Sequence, residues 1–294
     1  MTNWAQILFN SGITGSLYLI SAVALTLAYG LSRFPNFAHA EFMTLGAYMG
    51  YFVAEQLNWP FPVTFVVAMV SSGIIGYLSF KGIFQPLAKR GASLIHLMVA
   101  SLALGFIVRH SIGEIWGWAP LFFNVIWPSF EVGPVRISTL WLWLIVAAVA
   151  IAVTLHFMLV KTKIGIAIRA TSSNTELALS SGINTTQVLL ITWFISGGLA
   201  GIAGLFRAAD TRLSPLLGWD ILLPAVAVTI LGGIGSFYGA IIAAFVIGLA
   251  ENIGVVFLVQ LGLSTEYRLA IPFVILILVL LLKPQGIAKL FKGN

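Results

Sequence analysis

Few polar side chains in this sequence could do chemistry, and three of them lie in or beside long apolar stretches. His39 and Glu41 are two residues apart, which on a helix points them to different sides and disfavours a shared metal ion or acid–base pair. Glu251 has no basic residue near it in the sequence. Because a charge near the centre of a bilayer costs about 2.5–3.5 kcal/mol, Glu251 must face a cavity, a partner or the interface. A single such carboxylate does not by itself support a proton relay.

The short motifs that mark common catalytic sites are missing. The sequence has no G-x-x-x-x-G-K-[ST] phosphate loop, no H-E-x-x-H and no G-x-S-x-G. It also has no cysteine, which excludes disulfides, thiolate metal sites and cysteine nucleophiles. We therefore predict that the chain is not an enzyme and binds no metal, nucleotide or other cofactor by itself.

Composition defines the elements that must position these residues. Of 294 residues, 60% are hydrophobic and 8% are charged, whereas a soluble domain carries about 25% charged residues. The mean hydropathy is +1.03. We predict an all-α polytopic membrane protein with one transmembrane domain, residues 1–294. The net charge of +6 could suggest nucleic acid, but the basic residues form short clusters between apolar spans, which predicts membrane orientation instead.

Apolar runs bounded by charge, proline or glycine predict about eight transmembrane helices. The expected spans are Ile7–Leu31, Phe42–Leu57, Pro62–Phe80, Ser93–Ile112, Thr139–Val160, Thr186–Phe206, an interrupted Asp220–Phe257, and Arg268–Leu282. These runs lack the two-residue alternation of a membrane barrel, so every element is expected to be helical. The N-terminus has no positive region before its apolar run, so the first span is expected to be retained.

Basic residues predict the orientation of the spans. Cytoplasmic loops carry an excess of Lys and Arg. With Arg33, three clusters place ten of the fifteen basic residues on one side, which is then cytoplasmic, with the N-terminus outside and the C-terminus inside. The clusters are Lys81/Lys89/Arg90, Lys161/Lys163/Arg169 and Lys283/Lys289/Lys292.

Two segments are predicted to break the helical pattern inside the membrane. Asp220–Leu231 would be about 18 Å long as a helix, whereas a crossing needs about 30 Å. The glycine-rich residues 232–236 follow, so we predict a short helix, a turn and a returning helix. After the first span, Pro35 prevents smooth continuation, and residues 36–41 are expected to be non-helical. Broken backbone within a membrane lies where it is buried in protein or lines a cavity.

The polar stretch Lys161–Gln187 is predicted to be a cytoplasmic helix interrupted by Ser and Asn. Within it Glu176 opens a helical turn, the small Ala178 allows close approach of another surface, and Gly182 can end the helix. On local pattern alone, a docking helix and an ordinary amphipathic loop are equally supported.

Several motifs resemble one family. The sequence N-F-A-H-A-E-F at residues 36–42, followed by L-G-A-Y at 45–48, resembles the N-F-A-H-G-E signature of the branched-chain amino-acid ABC importer permeases, in the shorter of their two paralogous membrane subunits. Residues 161–165 and 176–182 are similar to the cytoplasmic coupling loop of that family, and L-G-G-I-G-S at 231–236 is similar to its late glycine-rich turn. The resemblance covers roughly residues 8–288.

This resemblance implies an inner-membrane permease of bacterial type that forms a translocation path with a paralogous partner. A soluble binding protein would deliver substrate from outside, and two partner subunits would bind and hydrolyse ATP. The coupling loop is implied to dock the ATPase through Arg169, Glu176, Ala178 and Gly182. The translocation path is assigned to Asn36, His39, Glu41, Gly46, Gly232, Gly233, Gly235 and Ser236.

Three alternatives remain open on the sequence. Related systems carry urea and short amides, so the substrate is not settled by these motifs. An ion-coupled secondary transporter or channel would contain an embedded acidic or histidine relay. An intramembrane enzyme would need a carboxylate pair or a nucleophile beside a base, and no such constellation is evident.

Overall fold

The computed structural model describes residues 3–282 and confirms an all-α polytopic membrane protein. Seven of its helices are long and apolar enough to cross a membrane, and two further helices, α2 and α10, are shorter. The helices are α1 Trp4–Ser32, α2 His39–Tyr51, α3 Phe61–Ser79, α4 Gln85–Lys89, α5 Leu94–Trp116, α6 Thr139–Lys161, α7 Lys163–Ser173, α8 Thr175–Ser180, α9 Thr185–Asp210, α10 Leu217–Gly232, α11 Phe237–Gln260 and α12 Ala270–Leu282.

Some helix ends differ from the predicted spans because the backbone tightens or widens locally. A π-helical segment, Phe52–Gln56, continues α2, and a second one, Phe80–Phe84, joins α3 to α4 in one continuous helix. A 3₁₀ segment, Thr265–Leu269, precedes α12. The predicted non-helical stretch 36–41 is wrong for its second half, since α2 begins at His39.

The expectation that every element is helical is also wrong. Strands β1 Ser129–Val132 and β2 Val135–Ser138 form an antiparallel hairpin between α5 and α6. Gly133, with φ of 60°, occupies the turn between them. Val–Gly–Pro–Val is a turn signal between two β-prone segments. The long apolar runs on either side favoured a purely helical prediction in spite of it.

Helices α1 and α9 form the centre of the bundle. The Ser196 hydroxyl of α9 donates to the Ala24 carbonyl oxygen of α1 at 2.7 Å, and Trp193 Nε1 donates to Ser32 Oγ at 2.8 Å. In contrast, α12 buries only Pro272 among its residues, and its exposed surface is Val, Ile and Leu. Such a surface suits contact with lipid or with another membrane subunit.

A stripe of glycines lets α9 approach α2 and α3 closely. Gly201 lies against Gly46 of α2 and Ala68 of α3, and Gly204 lies against the Met43 carbonyl, with no room for a Cβ atom at either position. Small residues at such positions allow membrane helices to pack backbone to backbone. Helices α2, α3 and α9 therefore form one tightly packed block.

The two ends of the bundle differ in charge. Ser172 of α7 donates to the Gly30 carbonyl oxygen near the end of α1, and Gln85 donates to Thr186 at the start of α9. We call this the α7 end and the opposite one the far end. Two basic clusters, Lys81/Lys89/Arg90 and Lys161/Lys163/Arg169, lie on segments at the α7 end, whereas Lys283/Lys289/Lys292 lies outside the described residues.

Candidate functional site

The starts of the two short helices, α2 and α10, meet inside the bundle. The backbone N–H of Gly218 in α10 donates to Thr44 Oγ1 of α2 at 3.1 Å. Gly218 also lies so close to the Ala40 carbonyl that a Cβ atom would overlap it. Two interrupted segments that are far apart in sequence therefore touch, as the predicted broken backbone requires if it is to be buried in protein.

Glu41 forms a buried ion pair at this junction. Its Oε1 accepts from Arg109 Nε of α5 at 3.0 Å and from Trp219 Nε1 of α10 at 2.9 Å. The guanidinium carbon of Arg109 lies 5.2 Å from the centroid of the Trp219 ring. The Glu41 side chain is fully buried and that of Arg109 is 11% exposed. Arg109 therefore neutralises a carboxylate in the interior.

Several polar atoms around this ion pair have unused hydrogen-bonding capacity. Among the described residues, Asn36 Nδ2, both ring nitrogens of His39, Glu41 Oε2 and the Tyr48 hydroxyl are buried without a partner. Buried polar atoms are usually paired. All of the unpaired atoms except the Tyr48 hydroxyl, which lies near the other end of α2, belong to residues at or just before the start of α2, and this region is therefore a polar centre within an apolar bundle.

The residues just before α2 form a turn that is held by side chains. Asn36 Oδ1 accepts from the Ala38 backbone N–H at 3.1 Å, and the Phe37 N–H donates to Ser101 Oγ of α5 at 3.1 Å. Asn36, Ala38 and Ala40 are all buried within this chain. Gly46 is used for contact with α9. That these residues line the path stays a prediction.

The predicted break after α10 is a turn at the α7 end. Gly233 and Gly235 have φ of 91° and 79°, values that favour glycine, and the Ser236 hydroxyl caps α11 by accepting from the Gly239 N–H at 3.1 Å. Gly232 packs directly against Gly239. With 16 residues, α10 is about 24 Å long, still short of the roughly 30 Å hydrocarbon thickness.

The predicted coupling loop forms two helices that meet at Asn174. Asn174 ends α7, and its side chain caps α8 by accepting from the Leu177 N–H at 3.0 Å. Gly182 has φ of 81°, and the Ile183 N–H donates to the Ala178 carbonyl at 3.0 Å. This is the glycine helix end that the sequence predicted. The predicted helix interrupted by Ser and Asn is therefore present as two helices, with the interruption at Asn174.

Helix α7 and the glycine turn lie against the same end of α1. Ser172 Oγ donates to the Gly30 carbonyl oxygen at 3.3 Å, and Gly30 packs on the Cα of Gly235. A cavity of 1110 Å³ opens beside this contact, lined by Arg33, Arg169, Ser172 and the turn residues among others. Three predicted site residues, Gly233, Gly235 and Ser236, therefore share a cavity with Arg169, whereas Glu176 and Gly182 do not line it.

A second ion pair, between the buried Glu251 and the partly exposed Arg268, was not predicted from the sequence. Glu251 Oε1 accepts from Arg268 Nε at 3.0 Å, and Glu251 Oε2 accepts from the Tyr18 hydroxyl at 2.5 Å. The absence of a cation near Glu251 in the sequence was misleading, because Arg268 reaches it from the segment before α12. The sequence did contain a signal for both ion pairs, because Arg109 and Arg268 each lie in or beside an apolar run. A cation in that position needs an acidic partner.

With this geometry established, comparisons identify the family. The sequence model of a family described as a permease component of branched-chain amino acid transport systems matches residues 7–280. The chain belongs to this family. It is therefore a membrane-embedded permease component of an ABC import system, a class that works with ATPase and binding-protein partners.

Individual relatives of the branched-chain permease family agree. The chain is 32% identical to a probable branched-chain amino acid transport permease, LivH, of Methanocaldococcus jannaschii, covering 96% of this chain and 91% of that protein. It is 29% identical to the high-affinity LivH permease of Salmonella typhimurium, covering 96% and 94%. The structure of PsaBC from Streptococcus pneumoniae in complex with Fab has the same fold, with a TM-score of 0.52, 16% identity and coverage of 97% and 94%.

Proposed function

We propose that this chain imports branched-chain amino acids as one of two paralogous permease subunits, with ATP bound and hydrolysed by two separate subunits. The family match over 7–280 carries this proposal, because relatives whose names state branched-chain amino acid transport align over nearly the whole chain. Apolar amino acids need no ion gradient for coupling when ATP supplies the energy. No catalytic residue is assigned to this chain.

Helices α7 and α8 are the proposed docking site for the ATPase. Leu177 and Leu179 are 64% and 53% exposed on α8, while Ala178 between them is buried. Exposed leucines on a short polar helix provide an apolar contact for another protein. Helix α7 also contacts Gly30, which packs against the glycine turn. Movement of the docked ATPase would therefore be transmitted from α7 through Gly30 to the α10–α11 hairpin.

The α7 end is proposed to face the cytoplasm. The two described basic clusters lie on segments at this end, as cytoplasmic loops require, and an ATPase that uses cytoplasmic ATP must bind there. This arrangement puts the start of α1 and the β1–β2 hairpin outside, where the soluble binding protein would dock.

The translocation path is proposed to run beside the two interrupted helices. The polar centre at the start of α2 and the turn after α10 lie at different depths of the same bundle, joined by α10 itself. Unpaired N–H and C=O groups at the ends of such helices can bind the charged backbone of an amino acid.

Reconstitution tests this proposal directly. The chain, its paralogous permease and the two ATPases are placed in proteoliposomes with the binding protein outside, and uptake of labelled leucine, urea and acetamide is compared. We expect leucine uptake that requires ATP and is insensitive to a protonophore. Uptake of urea but not leucine would overturn the substrate, and uptake abolished by the protonophore with ATP present would favour a secondary transporter.

A further inference from the structure

A pocket of 190 Å³ at the far end of the bundle combines charges of both signs with apolar walls. It lies between the first half of α1, the start of α6, the end of α9, the second half of α11, the start of α10 and the 3₁₀ segment before α12. Its charged lining residues are Arg207, Asp210, Asp220 and Arg268. At about 30 Å³ for each water of liquid volume, the pocket equals about six waters, enough for a single amino acid and too small for a peptide.

One charge of each sign in this pocket is already engaged by the protein. Arg268 is bound to Glu251 through its Nε, and Asp210 accepts from Trp141 Nε1 at 2.8 Å. In contrast, the side chains of Arg207 and Asp220 make no hydrogen bond or ion pair within residues 3–282. The pocket thus holds a half-buried cation, Arg207, and a solvent-exposed anion, Asp220, that are not paired with each other.

The uncharged lining separates into polar and apolar parts. Asn10, Thr14 and Asn252 provide amide and hydroxyl groups, and Asn252 Nδ2 donates to Thr14 Oγ1 at 3.0 Å. The apolar part consists of Ile13, Leu17, Leu144, Phe206, Ile221 and Leu269, and the rings of Tyr18 and Trp141 complete the lining. This combination of oriented polar groups on apolar walls is typical of small-ligand sites.

We infer that this pocket binds a free zwitterionic amino acid with an apolar side chain. Arg207 binds the carboxylate, Asp220 binds the ammonium group, and the aliphatic walls contact the side chain. A net-neutral dipolar ligand offers a partner to each of these two opposite charges, whereas a simple anion or cation would bind only one of them. The inference rests on the proposed function for its substrate class and adds a site within this subunit alone.

Equilibrium binding tests the pocket separately from transport. The purified permease–ATPase complex is placed in lipid nanodiscs without nucleotide or binding protein, and binding of radiolabelled L-leucine is measured. Leucinamide, which lacks the carboxylate, and 4-methylpentanoate, which lacks the ammonium group, serve as competitors. We expect each to compete about tenfold or more weakly than leucine, the effect of losing one charge-assisted hydrogen bond.

Two substitutions assign the roles. Arg207→Gln should remove the preference for leucine over leucinamide while retaining that over 4-methylpentanoate, and Asp220→Asn should do the reverse. Arg212→Gln and Glu114→Gln, exposed charges outside the pocket, are matched controls and should bind leucine like the original chain. A merely structural effect would weaken all ligands equally and leave the selectivity unchanged.

Failure of the pocket and failure of the proposed function give different results. A complex that imports leucine with its binding protein but shows no saturable leucine binding without it would overturn the pocket and leave the function standing. Unchanged selectivity in both pocket variants would overturn it as well. Leucine binding in a complex that imports only urea would overturn the function and retain the site.

Discussion

The start of α2 and the turn after α10 both interrupt helices inside the bundle, but different forces hold them in place. At the start of α2, a charged side chain of α5 and an aromatic side chain of α10 bind one carboxylate, Glu41. At the turn, Gly233 and Gly235 take up positive φ, and Gly30 packs on the backbone of Gly235. Side-chain bonds can exchange partners during a cycle, whereas a glycine turn is specified by backbone shape. The start of α2 therefore depends on a pair of opposite charges, and the turn after α10 depends on the small volume of its glycines.

The largest expected effect comes from removing the charge at the first region. Arg109→Leu leaves Glu41 buried without its cation, which should destabilise the protein by about 3–5 kcal/mol. Thermal unfolding in detergent measures the loss. The double variant Arg109→Leu with Glu41→Gln carries no buried charge and should recover part of it.

Arg90→Leu, on the surface of the α7 end, controls for the loss of a positive charge. An Arg109→Leu protein as stable as this control would show that Glu41 does not depend on its ion pair. The distinction between the two regions would then be lost.

An increase in side-chain volume should be most damaging at the turn after α10. Gly233→Val places a β-branched side chain at φ of 91°, at a cost of about 1–3 kcal/mol, and should abolish transport because the hairpin cannot close. Uptake in proteoliposomes and the yield of folded protein are the measurements. Ile234→Val, at the exposed neighbouring position, is the control and should transport normally. Full transport by a stable Gly233→Val protein would reject the turn.

Substitutions around α8, in the proposed docking site for the ATPase, should impair the coupling of transport to ATP hydrolysis without preventing membrane insertion. Gly182→Leu strains the end of α8 by about 1–2 kcal/mol, and Ala178→Arg places a charge in a buried position beneath it. Both variants should insert into the membrane but lose substrate-stimulated ATPase activity in the reconstituted complex. Lys89→Gln, exposed at the same end, should retain it. Normal stimulation in both α8 variants would mean that the ATPase docks elsewhere.

The smallest effect is expected where α7 contacts the end of α1. Ser172→Ala removes the bond to the Gly30 carbonyl, a loss of about 0.5–1.5 kcal/mol at most. Stability should scarcely change, while the ATP hydrolysed for each leucine imported should rise. Ser173→Ala, exposed and without this bond, should behave like the original chain. An unchanged ratio in Ser172→Ala would exclude this contact from the coupling route.

The sequence predicted backbone features better than contacts between side chains. The turn at 232–236 followed from the short length of Asp220–Leu231 and from its glycines, both local properties. The end of α8 at Gly182 was local as well. The partners of Glu41 and Glu251 were missed because Arg109 lies 68 residues from one and Arg268 lies 17 residues from the other. Which helices are neighbours cannot be read from hydropathy, so the cation for each acid remained unassigned.

The start of α2 shows a second limit of local reasoning. Pro35 correctly predicted a break, but the break ends at His39, because the small Ala38 and Ala40 let the new helix begin at once against α5 and α10. The fold buries the polar residues Asn36, His39 and Glu41 at this break. A polar residue in an apolar chain marks an interior contact as readily as a path.

The glycine stripe of α9 has a mechanical consequence. Helices whose backbones touch cannot slide past one another, because a shift of a few ångströms would drive a Cα or carbonyl into its neighbour. We expect α2, α3 and α9 to move as one rigid piece throughout a transport cycle. Rotation of this block relative to the other helices would then occur at the connecting segments on either side, residues 33–38 before α2 and 211–216 after α9. These short segments, and not the helices, would change conformation during transport.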